Sequence, residues 1–530
     1  MNTSPASPAP LREPPPRAPG RPGRSALSAF QWIAIAMLCV AAGLPGLLAR
    51  YPQMTDYPAH LARWHIMIDD GRTAELARYY AFKWAWSGNL GVDILIRPVA
   101  ALVGLETAGR LFVILIPMLI AGGLFAVEWT LRRRIGVGPL LALATVWSPA
   151  LLMGFLNFEL ALAGALWAFA LWVKMAGSRW RSPLFVPIGA LVWLAHQSGW
   201  GVLGVMVFGY EFSRQNRWAD WWRAALATWP LWLPFLPTLL ASQQASGSFD
   251  YGRRVLKVKW MFWRESLRDR VRYVDYATTI LLLAAPLLAL WRGRMDPRLG
   301  WAGLICLLLS LVVPRHLGGG DLADLRLIAV GLMLLALAID WRPRWGLMWL
   351  ALFPFGLRLA ITSAVWTVHS ANVATMMQAI DLIPRGAKVA VAVREEVGLW
   401  AQPLYGHLGC YATVRRDALV NNHFAIPGVH MLTLTPAAWK WVDPSQRIFM
   451  RHNQTPDLTR FKPALEADYL WYFGKYQPAA LPPGARIIFR TKHSLLARLD
   501  RAAMAAAAAN TAVAPASPRA LLPRAPRAAN

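Results

Sequence analysis

Apolar stretches of helical length recur along most of this chain, and the polar joints between them alternate in charge. The stretches fall at about 26–48, 110–129, 137–153, 157–175, 184–196, 199–212, 223–241, 275–291, 299–313, 325–340 and 345–365. A bilayer core of about 30 Å takes roughly 20 apolar residues as a helix. The pattern therefore predicts a polytopic α-helical membrane protein with about 11 transmembrane helices. The first stretch exceeds a signal-peptide core of about 7–15 residues and lacks a small-residue cleavage site, so it reads as an uncleaved span.

Every second joint is basic. Arg132, Arg133 and Arg134 fill one; Lys174, Arg179 and Arg181 the next; then Arg214, Arg217 and Arg223; Arg292, Arg294 and Arg298; Arg342 and Arg344. The positive-inside rule assigns these joints to the cytoplasm. Residues 1–25, with Arg12, Arg17, Arg21 and Arg24 against Glu13, read as a disordered cytoplasmic tail on the same side. The expectation is a multi-pass protein of a bacterial inner membrane, with its C-terminal region periplasmic. The net charge of +27 does not indicate a nucleic-acid partner, because the cations are spread between spans rather than gathered on one soluble face. Only 16% of residues are charged, against about 25% in soluble domains.

Within this frame, residues 26–365 form the transmembrane domain. Its first outer loop, 50–109, includes an apolar stretch at 91–104 that reads as a helix lying in the interface. A second outer loop, 242–274, breaks the charge rule. It carries Arg253, Arg254, Lys257, Lys259, Arg264, Arg268, Arg270 and Arg272 among Trp260, Phe262, Trp263 and Tyr273. It is either an interfacial helix held by anionic headgroups or a cradle for a lipid phosphate. Residues 366–501 read as a soluble α/β domain, with a helix at 373–383 and strands at 387–393, 468–473, 486–490 and 494–499. The Ala/Pro-rich segment 502–530 reads as disordered.

The polar residues near span ends fall unevenly. Asp56, His60, Arg63, His65, Asn157, Glu159, His196, Gln197, Arg315, His316, Asp321, Asp324 and Arg326 all belong to the outer side. Orientation needs only positive charge inside, so it does not account for this set. Polar groups beside hydrocarbon are costly and mark sites or pathways. In a helix starting at Tyr57, Asp56, His60 and Arg63 stand at i, i+4 and i+7 and share a face. A carboxylate and an imidazole there can do acid/base work, with Asp56 and His60 as the catalytic candidates. Each residue also has a plainer use. Asp56 can be the N-cap of its helix, with Pro58 in the first turn. Arg63 and Arg326 can snorkel. Asn157 can cap the helix after it, and His196 can mark a break between two short helices. The cysteines Cys39, Cys306 and Cys410 form no disulfide framework, and no HExxH or CxxC motif occurs. No cofactor and no structural metal are expected, and a divalent metal at the site stays open.

Several of these stretches resemble the GT-C class of integral-membrane glycosyltransferases. Asp56-Tyr57-Pro58-Ala59-His60-Leu61-Ala62-Arg63 looks like a D-x-P-x-H-L-x-R form in bacterial members of that class. Gly154-Phe155-Leu156-Asn157-Phe158 and Asp321-Leu322-Ala323-Asp324-Leu325-Arg326-Leu327 are similar to the same proteins, as are Pro403-Leu404-Tyr405-Gly406-His407 and Asn422-His423-Phe424. The resemblance spans about residues 27–500. It implies transfer of a sugar from a polyprenyl-phosphate carrier to a glycan, lipid or protein acceptor on the outer face, in contact with membrane lipid. Asp56 would be the general base. Arg63, Arg315 and Arg326, with Arg253 and Arg254 behind them, would meet the leaving phosphate, and Asn157 and His196 would line the substrate site. The sequence departs from the class in one respect: the first loop has no second acid beside Asp56, so Asp56 acts alone or Asp93 or Asp324 joins it through the fold. Two other functions fit a polytopic chain, a transporter or flippase and a non-catalytic assembly protein of the cell envelope. Against the transporter, no internal repeat and no charge at the centre of a span is visible.

Overall fold

A computed structural model describes residues 27–233, 250–317, 320–396, 403–425, 431–441 and 447–506. The predicted tail at 1–25 and nearly all of 502–530 lie outside the described residues, as does the end of the stretch at 223–241. The chain is mostly helical up to Leu382 and strand-rich after it.

Four helices are long and apolar enough to cross a membrane: Leu105–Arg132, Leu156–Lys174, Arg272–Trp291 and Trp345–Leu382. Among the described residues the count of about 11 full-length spans is not reached. Gln197–Phe212 and Pro297–Val312 have 16 residues each, a rise of only about 24 Å against a core of about 30 Å. Other stretches are broken by their own sequence. Gly43 and Pro45 split the first into Ala29–Ala42 and Leu44–Leu48. The stretch at 137–153 becomes Val137–Ala142, Leu143–Thr145 and Pro149–Met153, the last started by Ser148, whose hydroxyl accepts from Leu151 N at 3.3 Å. The final span is longer than the sequence implies. A separate helix was expected at 373–383, but Trp345–Met377 runs unbroken into a 3-10 turn, Gln378–Leu382. Thus one rod links the helical bundle to the C-terminal domain.

The basic joints gather at one end of the bundle. Arg132 is buried there and bonds Asp296 at 3.1 Å, Leu337 O at 3.1 Å and the Glu128 carboxylate. Arg298 bonds the same Asp296 at 2.7 Å, and Arg134 pairs with Asp340. The other end carries Asp56. Gly109, near the start of Leu105–Arg132, lies against Tyr57 and Leu61 so closely that a Cβ would stand 2.8 Å from Leu61 Cδ2. From Gly109 to Arg132 the helix rises about 35 Å, so the two polar groups face opposite ends of the bundle.

The first loop is more buried than a surface helix allows. Tyr57–Asp69 starts with Pro58 in its first turn and ends at Asp70, whose φ is +54°. Tyr57, Leu61 and Trp64 are each at most 1% exposed, because the helix is packed between Leu105–Arg132 and the short helix Cys410–Arg416 of the C-terminal domain. Gly91–Val103 is less covered and leaves Ile94, Leu95, Leu102 and Val103 exposed.

Among the described residues the C-terminal domain has a six-stranded sheet. Its centre is β2 (Lys388–Glu396), paired in parallel with β3 (Leu419–Val420), β5 (Arg447–Met450) and β6 (Tyr469–Phe473). Beyond β6 follow the antiparallel β8 (Ser494–Arg498) and β7 (Arg486–Arg490). The centre of β2 is apolar on both faces, Val389 to Val393 all buried, as a parallel strand covered on both sides requires. Two further strands, β1 (Tyr80–Phe82) from the first loop and β4 (Leu432–Leu434), pair antiparallel and join the domain to the loop. Arg415 adds a two-pronged bond to Glu106, both at 2.8 Å, and His65 meets Asp417 at 2.8 Å. The C-terminal domain is therefore seated on the Asp56 end of the bundle.

Candidate functional site

Asp56 occupies the N-cap position but does not cap. Its φ of −91° and ψ of −12° are already helical, and its carboxylate accepts no bond from the helix N–H groups. Its own N–H donates to Met153 O at 2.9 Å. That bond brings in Gly154, whose φ is +97° and whose Cα faces Asp56; a Cβ there would stand 3.3 Å from Asp56 Cβ and 3.2 Å from Tyr57 N. Glycine is needed at 154 for both conformation and space. The Asp56 carboxylate keeps 21% of its surface open. It is nonetheless recessed enough that burial lifts its pKa to about 7, with Arg447 and Arg326 pulling down against that rise and Asp321 adding to it. A carboxylate near neutrality is a much stronger proton acceptor than one at its usual value of about 4.

Arg326 forms the cationic wall. It is 7% exposed and lies over the Phe155 ring at 4.3 Å and the Phe158 ring at 5.5 Å. Its Nη2 donates to Asp321 O at 3.0 Å, its Nη1 stands 3.0 Å from His196 Nε2, and its Nε is buried without a partner. Among the described residues no carboxylate reaches ion-pair distance of it. His196 does mark the break between two helices: its Nδ1 accepts from Ser198 N at 3.0 Å. A neutral imidazole has one accepting nitrogen, so the cap and the Arg326 contact cannot both be accepted bonds. Burial with incomplete satisfaction of this kind is costly for a guanidinium unless an anion completes it.

The remaining candidates are placed differently. Arg63 is buried with its Nη2 2.6 Å from Asp93 Oδ1, and Asp93, fully buried, also accepts from Trp64 Nε1 and Asn157 Nδ2, each at 2.8 Å. Asn157 does not cap its own helix; its Oδ1 accepts from Val92 N at 2.7 Å and starts the helix Gly91–Val103. Arg63, Asp93 and Asn157 thus form one structural network, in which Asp93 is the carboxylate paired with Arg63 although Arg63 Nε, like that of Arg326, is buried without a partner. Asp324 is held by Lys259 at 2.8 Å. Neither Asp93 nor Asp324 therefore stands free as a second carboxylate for Asp56. Arg315 is spent on Asp321, at 2.9 and 3.1 Å. Arg253 and Arg254 are exposed just before the helix Val255–Arg264, outside this cluster. His60 stacks on Trp64 and meets the edge of Phe424 at 5.1 Å. Among the described residues no three of His, Cys, Asp and Glu are grouped to hold a metal ion.

Two residues that the sequence did not single out complete the site, and both come from the C-terminal domain. His407 Nε2 lies 3.8 Å from Asp56 Oδ1. Arg447, at the start of β5, acts on both Asp56 and His407 through its charge and forms an ion pair with Glu395 at 3.4 Å. The only sequence signal was the resemblance at Pro403–His407 and Asn422–Phe424, which did not say what those residues face. Two clefts lie away from Asp56: one of about 210 Å³ beside Asp69 and Asp70, and an apolar groove of about 460 Å³ lined by Trp167, Leu171 and Leu191. Neither touches Asp56. The chemistry therefore has to be read from the side chains and not from cavity size.

No protein-family model and no curated protein matches this chain. Among solved structures it is similar to the arabinofuranosyltransferase AftD from Mycobacteria, with 15% identity and a TM-score of 0.45. The match covers 90% of this chain and 40% of that one.

Proposed function

We propose that this protein is a membrane glycosyltransferase that moves a sugar from a polyprenyl-phosphate carrier to an acceptor hydroxyl on the outer face of the membrane. The observation that carries the reading is Arg326 near Asp56: a buried guanidinium that feels the charges of Asp321, Glu159 and Asp56 but, among the described residues, has no carboxylate at ion-pair distance, beside a recessed carboxylate whose pKa burial lifts to about 7. A hydroxyl is a weak nucleophile, and a positioned base typically contributes about 10²–10⁴-fold. Asp56 takes the hydroxyl proton as the acceptor oxygen bonds the sugar carbon. The bond from that carbon to phosphate oxygen breaks, and the phosphate departs with the electron pair toward Arg326, whose charge offsets it. The GT-C resemblance of the Asp56, Gly154 and Asp321 motifs points the same way.

The test uses the purified protein in lipid vesicles with a polyprenyl-phosphate-linked sugar and a membrane extract as the source of acceptor. Asp56→Asn and Arg326→Gln should each lower transfer by about 10²-fold or more. Full transfer by Asp56→Asn would remove the base assignment. Movement of the intact lipid-linked sugar across the vesicle, with no covalent change, would favour the flippase.

A further inference from the structure

His407 has a fixed tautomer. Its Nδ1 lies 2.6 Å from the Asn422 carbonyl oxygen, which can only accept, so Nδ1 carries the ring proton. Nε2 is then left with its lone pair, and the nearest Asp56 oxygen, Oδ1, stands 3.8 Å from it. The ring is held in this attitude by Phe424, 5.0 Å away, the same ring that meets His60. Burial lowers the His407 pKa to about 4; the bond to the Asn422 carbonyl works against this and Arg447 and His423 work with it, so the imidazole is neutral at physiological pH.

A lone pair facing an ionised carboxylate is repelled by it, while one facing a carboxyl O–H accepts a hydrogen bond. The other charged or titratable groups acting on the pair are Arg326 and Asp321 from the helical bundle and Arg447 and His423 from the C-terminal domain. Glu395 is held to Arg447. None of these supplies an acceptor at Asp56 Oδ1. We propose that His407 is a positioning residue for Asp56: its neutral Nε2 receives the Asp56 O–H formed when the carboxylate takes the acceptor proton, so the C-terminal domain completes the base. This rests on Asp56 being the base of the proposed transfer. The proton passes from acceptor oxygen to Asp56 and stays there; His407 gains a hydrogen bond and no proton. A closure of about 1 Å brings the two atoms to bonding distance.

The experiment is a pH titration of the full chain in lipid nanodiscs by infrared difference spectroscopy. It follows the carboxyl C=O band that Asp56→Asn removes. His407→Asn keeps an amide N–H where Nδ1 donates to Asn422 and leaves nothing where Nε2 stood. The titration midpoint should fall by about one pH unit, in a variant that still unfolds cooperatively. If this variant does not fold, His407→Gln serves, since its amide N–H turned to the carboxylate also lowers the midpoint. An unmoved midpoint in a folded variant would overturn the proposal. An upward shift would overturn it too, because it would mean that His407 is a cation paired with ionised Asp56. The readout needs no turnover, so a lowered midpoint in a protein that transfers no sugar would count against the glycosyl-transfer reading and leave the pairing in place.

Discussion

Asp56→Asn should make the protein more stable, and increasingly so as the pH rises. In the folded chain the Asp56 carboxyl has its pKa lifted from 3.8 to about 7, mainly by burial. The folded state therefore holds this proton more tightly than the unfolded state does. Its contribution to stability is fully present below about pH 4 and is lost as pH rises to about 7. The difference of about 3 pKa units corresponds to about 4 kcal/mol at most at pH 8. Asparagine fits the same space and cannot ionise. The free energy of unfolding of the variant minus that of the wild type should thus be near zero at pH 4, rise between pH 4 and 7 and level off above. Denaturant unfolding in detergent micelles, followed by tryptophan fluorescence at a series of pH values, measures it. A flat difference would refute the argument. So would a wild type that gains stability over the variant as pH rises, since Asp56 would then be an ionised, well-paired carboxylate rather than a recessed base. The same titration sets the pH dependence of transfer: the base must be ionised to accept a proton, so activity should climb through about pH 7.

Other perturbations separate structural from functional charge. Arg63→Ala leaves Asp93 buried beside Trp64 and Asn157 without its cation, at a cost of about 3–5 kcal/mol; a variant that unfolds at the wild-type denaturant concentration would show that the network is not held as described. Gly154→Val places a branched side chain at φ +97° within 3.2 Å of Tyr57 N, and should lower transfer by more than tenfold by displacing Asp56; unchanged transfer would refute the close approach. Arg415→Ala removes the partly exposed pair with Glu106 and should cost about 1 kcal/mol or less, read as faster proteolysis after Met377. Equal cleavage rates would mean that β1–β4 pairing, the His65–Asp417 contact and helix packing hold the domain without this pair.

What could be read along the chain was whatever depends on near neighbours. Apolar stretches mark helices because burial in lipid is a property of composition over about 20 residues, and the stretches at 110–129, 157–175 and 275–291 became helices within a few residues of those bounds. The basic joints carrying Arg132, Arg134 and Arg298 met at one end because charge asymmetry orients successive spans the same way. The shared face of Asp56 and His60 follows from helical periodicity, and β2 from its run of Val and Ala. Span length was less legible: Gly43, Pro45 and Ser148 break stretches whose hydropathy alone is continuous.

Partner choice was decided only in three dimensions. Arg63 and Arg326 look alike in sequence, each a cation near a span end. The fold gives Asp93 to Arg63 and gives Arg326 no carboxylate at ion-pair distance among the described residues. Asp324 might have joined Asp56, but the 65-residue separation that brings Lys259 to it left no mark on either segment. His407 reaches Asp56 across about 350 residues of chain, and the charge of Arg447 acts on it across about 390, because β1, Arg415 and His65 seat the C-terminal domain over the Tyr57–Asp69 helix. Which charge is neutralised, and which is left to act on a ligand, depends on distances of a few ångströms between remote segments. The sequence by itself determined that Asp56 would stand at a helix start among polar groups; the tertiary structure determined that it would be recessed, near the His407 imidazole and a buried arginine with no carboxylate at ion-pair distance among the described residues.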